Sequence, residues 1–355
     1  MNKTSIEWCR TYQADGSFVE GHSVNPIRFR PHGSERTTTM CQKVSPGCAH
    51  CYAEGIARRF WPKDATSPFP GYTAQGLTTG KFVLDEKMLD AVLRRQQPTR
   101  LFWGDMTDLF QESVPDNFLD RCFAVAALTP HITHIFLTKR AERMRKYLSQ
   151  DRVLMVNRIV MAIGLHFPLG TESKLKPVIW PLPNVHLCVS VENQQQANER
   201  IPLLLETPAA VRGISAEPLL GLIDLNELPR PDIFHRSPYG WMNWLAGRLG
   251  WVIVGGESGG GARPMHPDWA RSLRNQCTEA KIPFFFKQHG EWISLSDYDP
   301  FILGTDTKKY EHRFTWRAGK QNADELPISC YRVGNKTAGR LLDGCEWNEM
   351  PARTV

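Results

Sequence analysis

The 355-residue sequence predicts an α/β protein: a partial or full TIM-like (β/α) barrel of parallel strands, with an irregular N-terminal arm and a small C-terminal extension. Three observations lead there. Short apolar runs rich in Val, Ile, Leu and Phe recur along the chain, as in strands buried on both faces of a parallel sheet. Helical stretches separate them, as crossover connections require. No G-x-G-x-x-G opens a helix and no P-loop lysine motif occurs, which leaves a doubly wound nucleotide-binding sheet as the runner-up.

Residues 1–40 are rich in turn formers and basic residues and read as an irregular arm with one short hairpin. Cys51 to Phe60 reads as a helix, and Trp61 to Gly80, with three prolines and three glycines, as a loop. Residues 85–96 form a second predicted helix, acidic at its start and basic at its end, which complements the macrodipole. The strand runs are Arg100–Gly104, His134–Thr138, Val185–Val191, Val211–Ser215, Trp251–Gly255 and Pro283–Lys287. Helices are expected at 116–128, 141–163, 193–206 and 267–280. The expected organisation is an arm (1–40), a barrel (41–292) and an extension (293–355) that is polar and irregular, a cap or an appended β element.

Hydrophobic residues make up 41% of the chain and charged residues 23%, enough apolar surface for a sizeable core. The net charge of +6 is compatible with an anionic partner without defining one. No apolar run reaches the ~20 residues of a membrane span, and Met1–Trp8 does not resemble a signal peptide. A cytoplasmic protein without a membrane partner is expected. Nine scattered cysteines fit a reducing compartment, with Cys122 and Cys188 as small core residues.

Three of those cysteines are clustered. Cys41, Cys48 and Cys51 follow a C-x6-C-x2-C spacing around Pro46-Gly47, a turn that lets the thiols converge. Three soft ligands suit an iron–sulfur cluster with one coordination position left open. A structural zinc site ordinarily takes four protein ligands, and here Cys9, His22, His32 or His50 would have to supply the fourth. Charged residues also end nearly every predicted strand. They include Gly104-Asp105-Met106, Lys139, Glu192-Asn193, Glu217, Glu257 within a glycine-rich run, and Lys287. Active sites of parallel α/β folds lie at those carboxyl ends. A lone acid after a strand is, by contrast, most often a helix cap, as Asp105 or Glu192 taken singly would be. Lys139 and Arg140 open a charge-rich helix whose solvated face accounts for much of that run.

Cys48-Ala49-His50-Cys51 resembles the end of the radical S-adenosylmethionine signature, with His50 in the aromatic place and a first gap of six residues instead of three. Cys41…Val44-Ser45-Pro46-Gly47-Cys48…Cys51-Tyr52-Ala53-Glu54 is similar to a three-cysteine-motif family of phage and prophage proteins related to radical SAM enzymes. Thr4–Trp8, Asp105–Phe110, Leu137–Arg140, Val191–Asn193, Gly255–Gly259 and Phe285–Gln288 extend the likeness over most of the chain. The resemblance implies a 4Fe-4S cluster on Cys41, Cys48 and Cys51, with S-adenosyl-L-methionine on the fourth iron. It implies that Asp105, in the Gly104-Asp105-Met106 element, binds the methionine amino group, with His50 beside the cofactor and Glu192 and Asn193 on its ribose. A 5′-deoxyadenosyl radical would then abstract a substrate hydrogen, and the protein would orient substrate and exclude water. Lys139, Glu217, Glu257 and Lys287 are the candidate catalytic residues, with Arg263 a further substrate contact.

The phage context that the resemblance implies, together with the basic balance, points to a nucleic acid or nucleotide substrate, for base modification or repair, with an electron donor protein as reductant. Arg28, Arg30, Arg36, Arg58 and Arg59 are candidate phosphate contacts, or merely solubilising. Phe29, Phe60 and Trp61 are candidates for base stacking or for simple packing. The alternatives are a zinc-stabilised nucleic-acid-binding or phage–host interaction protein without catalysis, and a metal-independent hydrolase using Glu217 and Glu257.

Overall fold

In a computed structural model of the chain, the described residues are 1–12, 17–167, 177–236, 240–294, 313–316 and 328–351. About half of the expected extension, residues 295–312, 317–327 and 352–355, therefore lies outside them. The fold is mixed α/β, built on one eight-stranded, mostly parallel sheet. The strands among the described residues are β1 (Asn2–Thr4), β2 (Thr11–Tyr12), β3 (Phe18–Val19), β4 (Gly21–Val24), β5 (Ile27–Pro31), β6 (Gly80–Leu84), β7 (Thr99–Trp103), β8 (Ile132–Thr138), β9 (Val185–Ser190), β10 (Val211–Ala216), β11 (Trp251–Gly255), β12 (Phe284–Gln288), β13 (Trp292–Ser294), β14 (Arg313–Trp316) and β15 (Ile328–Arg332). The main sheet runs in the order β1-β4-β7-β8-β9-β10-β11-β12. β4, β7, β8 and β9 pair in parallel, as do β11 and β12, while β1 joins β4 antiparallel.

All six expected runs are strands. β7, β9 and β11 are buried along their whole length, as strands covered on both faces must be. The arm holds one short antiparallel pair, β2 against β3, as expected of its hairpin, but it is less irregular than expected. It supplies β1 and β4 to the main sheet, and β5 pairs with β6 as an antiparallel ribbon, Phe29 opposite Phe82. β1 and β4 are too short and too polar to announce themselves by periodicity, and pairing with an existing sheet edge satisfies their backbone, whereas β5 alternates buried and half-buried residues.

The α-helices among the described residues are α1 (Tyr52–Arg59), α2 (Glu86–Leu93), α3 (Asp116–Leu128), α4 (Ala141–Leu148), α5 (Arg152–His166), α6 (Gln194–Glu206), α7 (Trp241–Ala246), α8 (Pro267–Ala280) and the single turn α9 (Asn335–Ala338). One helix was expected over 141–163, but two form. The side chain of Asp151 accepts from the backbone N–H of Val153 and Leu154, at 2.8 and 3.2 Å. That N-cap restarts the helix.

The chain divides into two compact units, residues 1–189 with 202–213 and 352–355, and residues 190–201 with 214–351. In the first, α3 packs on β7 and β8 through aromatic layers. Phe123 stacks on Phe136 (centroids 4.9 Å apart) and Phe136 on Trp103 (5.3 Å). Buried His134 accepts from the Trp103 indole N–H at 2.9 Å on Nδ1, so its other nitrogen carries the proton toward Thr129, also at 2.9 Å. Burial holds this imidazole neutral, its pKa lowered to about 3. Cys122 and Cys188 lie in the core, as expected.

In the second unit, β13, β15 and β14 form a small antiparallel sheet. Here the glycine-rich run after β11 has a physical reason. A Cβ on Gly256 would sit 1.9 Å from the carbonyl oxygen of His289, and one on Gly290, at φ +84°, would sit 2.2 Å from that of Glu257. Two backbones therefore touch where no side chain fits. Gly260, in contrast, faces open space. Gly256→Ala should cost about 2–3 kcal/mol of stability through overpacking, and Gly260→Ala within about 0.5 kcal/mol of none. Urea denaturation midpoints of the two variants check this.

Candidate metal centre and charged strand ends

The cysteine loop is held at the carboxyl ends of β4, β7 and β8, which face one way because the three strands are parallel. Gly104 begins the turn after β7 in a left-handed conformation, φ +76°, and a Cβ there would meet Leu109 at 2.1 Å and the Thr107 carbonyl at 2.4 Å. The turn sends several side chains back to the loop. Thr107 and Gln111 donate to the Met40 carbonyl at 3.1 and 3.2 Å, and Gln111 accepts from the Gln42 N–H at 3.0 Å. Cys41 thus sits between two anchored residues.

Asp108 is the hub. It accepts from the Thr138 hydroxyl (2.7 and 2.9 Å), the Lys139 N–H (3.0 Å), the Phe110 N–H (2.9 Å) and the Arg140 guanidinium (2.9 Å). Arg140 in turn donates to the Gln42 carbonyl at 2.9 Å. This ion pair is about 90% shielded on both sides, so its members depend on each other.

Beneath the loop lies an apolar cluster of Phe29, Met40, Ala53, Ala57 and Tyr72, with Cys41 and Cys51 packed against it. Burial pushes the Cys41 thiol up to about 11, with Asp108 adding to the rise and Arg140 opposing it. Burial also raises Cys51, a thiolate at Cys48 would raise it further, and Lys139 opposes. Arg140 and Lys139 therefore face Cys41 and Cys51 and favour their thiolates. Cys48 is half-buried, its sulfur 3.8 Å from the Ser45 hydroxyl, and His50 is exposed.

Among the described residues no group of three or more His, Cys, Asp or Glu side chains stands close enough to hold a metal ion in this conformation. The donor chemistry nevertheless fits one. Three thiols lie on one short loop, and Cys51 interacts electrostatically with both others. Two cations flank them, and a cation or cluster would reverse the cost that burial imposes on their thiolates. Of the suggested fourth ligands, Cys9 is fully buried and His22 lies 3.0 Å from the Thr99 hydroxyl.

Asp105 accepts from the Asn25 amide at 2.5 Å, and the Asn25 oxygen accepts from the Met106 N–H at 3.0 Å. Burial raises the Asp105 pKa, and donors on Asn25 and Ser23 oppose the rise. The Tyr52 hydroxyl donates to the Asp105 carbonyl at 2.6 Å. Neither Asn25 nor Gln111 was singled out from sequence. Asn25-Pro26 is the signal for Asn25, because a residue before proline after a strand marks the strand's end. Of the aromatics assigned to stacking or packing, Phe29 and Trp61 pack (centroids 6.4 Å) and Phe60 is 67% exposed. Arg28 and Arg30 are half-buried, whereas Arg36, Arg58 and Arg59 are exposed.

The second unit gathers the other strand-end residues into ion pairs. Glu192, with no exposed surface, accepts from Arg200 at 3.1 Å. Asn193 caps α6, its side chain accepting from the Gln196 N–H at 3.3 Å. Glu257 takes a bidentate guanidinium from Arg263, at 2.5 and 2.7 Å, plus the Arg263 backbone N–H at 2.8 Å. Lys287 donates to Glu217 at 2.5 Å, each side chain about a fifth exposed. Of these, only the Lys287–Glu217 pair combines a short contact with partial access for both groups.

The fold and site define a class: an α/β protein with a mostly parallel sheet and a three-cysteine loop at its strand ends. Residues 32–351 match the family described as "Protein of unknown function (DUF5131)", and the chain belongs to that family. No curated protein and no solved structure matches it.

Two outcomes test this geometry. Asp108→Asn should lose about 2–3 kcal/mol, because it leaves Arg140 shielded without its counter-charge, measured by urea denaturation. The folded-state pKa of Asp105 lies above its unfolded value, so its ionisation opposes folding as pH rises from the ordinary carboxyl range through that raised value. Asp105→Asn should therefore gain stability relative to wild type at pH 7 and show no such gain below pH 4, read from paired thermal melts.

Proposed function

We propose that this chain is a radical SAM-type iron–sulfur enzyme, its sheet a partial (β/α) barrel, that acts on a nucleic acid or nucleotide. The observation that carries the reading is the cysteine loop: three thiols on a clamped backbone at the strand ends, with Arg140 against Cys41 and Lys139 against Cys51. Cys41, Cys48 and Cys51 would hold a 4Fe-4S cluster. When bound, the cluster supplies a low-potential electron and an open position for S-adenosyl-L-methionine, and with them hydrogen-abstracting radical chemistry.

The chain's own residues do the rest. Arg140 and Lys139 stabilise the ligating thiolates, and Asp108, Thr107 and Gln111 fix the loop. Lys287–Glu217 is the pair best suited to move a proton in its unit, because both groups are reachable and 2.5 Å apart. Glu257 and Glu192 are committed to Arg263 and Arg200, and they position rather than react. A separate protein donates the electron. The nucleic-acid assignment rests on the surface of α1, where Tyr52, Ile56 and Phe60 are exposed at a spacing of four residues beside Arg58 and Arg59. Aromatic faces between guanidinium groups suit bases and phosphates. A phage or prophage origin is consistent with such a substrate.

Anaerobically isolated protein should be brown, contain iron and sulfide, and release 5′-deoxyadenosine from S-adenosyl-L-methionine on reduction. Cys48→Ser should lose both colour and cleavage. Stoichiometric zinc with no iron after anaerobic reconstitution would overturn the proposal and leave the zinc-stabilised binding protein in its place.

A further inference from the structure

A cavity of about 450 Å³ opens in the first unit between β1, the end of β4 and α1. Ligand sites of small molecules run from about 300 to 1,000 Å³. Its walls are unlike in three ways. Arg28 supplies a cation whose charged form burial disfavours. It donates to the hydroxyl and carbonyl of Thr37, at 3.5 and 3.2 Å, and among the described residues no carboxylate lies within ion-pair distance of it. Asp85 supports its charge only from beyond ion-pair distance, and a desolvated guanidinium without a direct ion pair is suited to an anion.

Asp105 and Asn25 form a second, polar wall. Asn25 spends its oxygen on Met106 and one N–H on Asp105, which leaves it a second N–H to donate, and the carboxyl group has further acceptor capacity. Such a juxtaposition reads the edge of a ring that carries both N–H and acceptor groups. The third wall is apolar: half-buried Met88, with Ile56 and Phe60 exposed at the rim on the same stripe as Tyr52.

From this arrangement we infer that the cavity binds a single nucleotide, its phosphate on Arg28, its base edge on Asn25 and Asp105, and its ring against Ile56, Met88 and Phe60. The unit bound is the same whether it arrives as a free nucleotide or as a residue turned out of a strand. The inference goes beyond the cluster reading, since no cysteine lines the cavity and nucleotide binding needs no metal.

The test uses the full chain freed of metal by chelator dialysis. It is titrated calorimetrically with the four nucleoside 5′-monophosphates, their nucleosides, and single-stranded 12-mers. Expected is binding of a monophosphate or a 12-mer that Arg28→Met weakens at least tenfold, with little change for the matching nucleoside. Monophosphate binding identifies a free nucleotide. Binding of the 12-mer alone, weakened severalfold by Phe60→Ala, identifies a nucleotide within a strand. Met88→Trp, which fills the cavity and leaves Arg28 in place, should abolish either and serves if Arg28→Met does not fold. Absence of binding by the wild-type chain, or binding unchanged by Met88→Trp, would overturn the inference. Binding by metal-free protein that carries no iron on reconstitution would uphold it and separate it from the fate of the cluster reading.

Discussion

The shielded ion pair between Asp108 and Arg140 is the contact on which the first unit's site depends. Asp108 gathers the ends of β7 and β8 through Thr138, Lys139 and Arg140, and Arg140 passes the constraint to the Gln42 carbonyl beside Cys41. Neither charge has a water-exposed alternative. The attraction is therefore strong in its low-dielectric setting, and removal of one partner leaves the other uncompensated. The same guanidinium that fixes the loop also faces the Cys41 thiol. Structural fixation and electrostatic influence on a thiol thus fall on one side chain.

Burial and charge compete around the thiols. Packing Cys41 and Cys51 against Phe29, Met40 and Tyr72 disfavours their thiolates, and Arg140 and Lys139 act in the opposite direction. A site arranged this way holds neutral thiols when nothing is bound and gains most from a cationic occupant. In the second unit every carboxylate named at a strand end has a cation beside it. Glu192 and Glu257 are sealed, while Glu217 and Lys287 keep partial access. The two sealed carboxylates hold their arginines, and the Glu217–Lys287 pair keeps partial solvent access on both sides.

Much of the fold was legible because it is local. Short, mostly apolar runs at β7–β12, spaced by helical stretches, mark strands, and the cysteine spacing marks its own loop. β1 and β4 were not legible. Asn2-Lys3-Thr4 and Gly21-His22-Ser23-Val24 carry no apolar alternation, and they become strands only because β7 offers an edge to β4 and β4 one to β1. The break at Asp151 was visible as an N-cap residue and was hidden by the continuous helical propensity on either side. In the site, the motif positions were readable and their partners were not. Asp105 stood out as an acid after a strand, but Asn25, which holds it, lies 80 residues away in sequence. Glu192 and Asn193 looked like a ligand pair, and the first is buried against Arg200 while the second caps a helix, a bland outcome that strand-end acids and amides often have.

The central claim is that three cysteines hold a cluster with one position left for an outside ligand. Mössbauer spectroscopy of protein reconstituted anaerobically with iron-57, recorded with and without S-adenosyl-L-methionine, tests it most directly. The account predicts a four-iron signal in which one iron shifts on addition of the ligand while three stay unchanged. A spectrum with no cluster signal, or one in which all irons are equivalent and indifferent to the ligand, would contradict it.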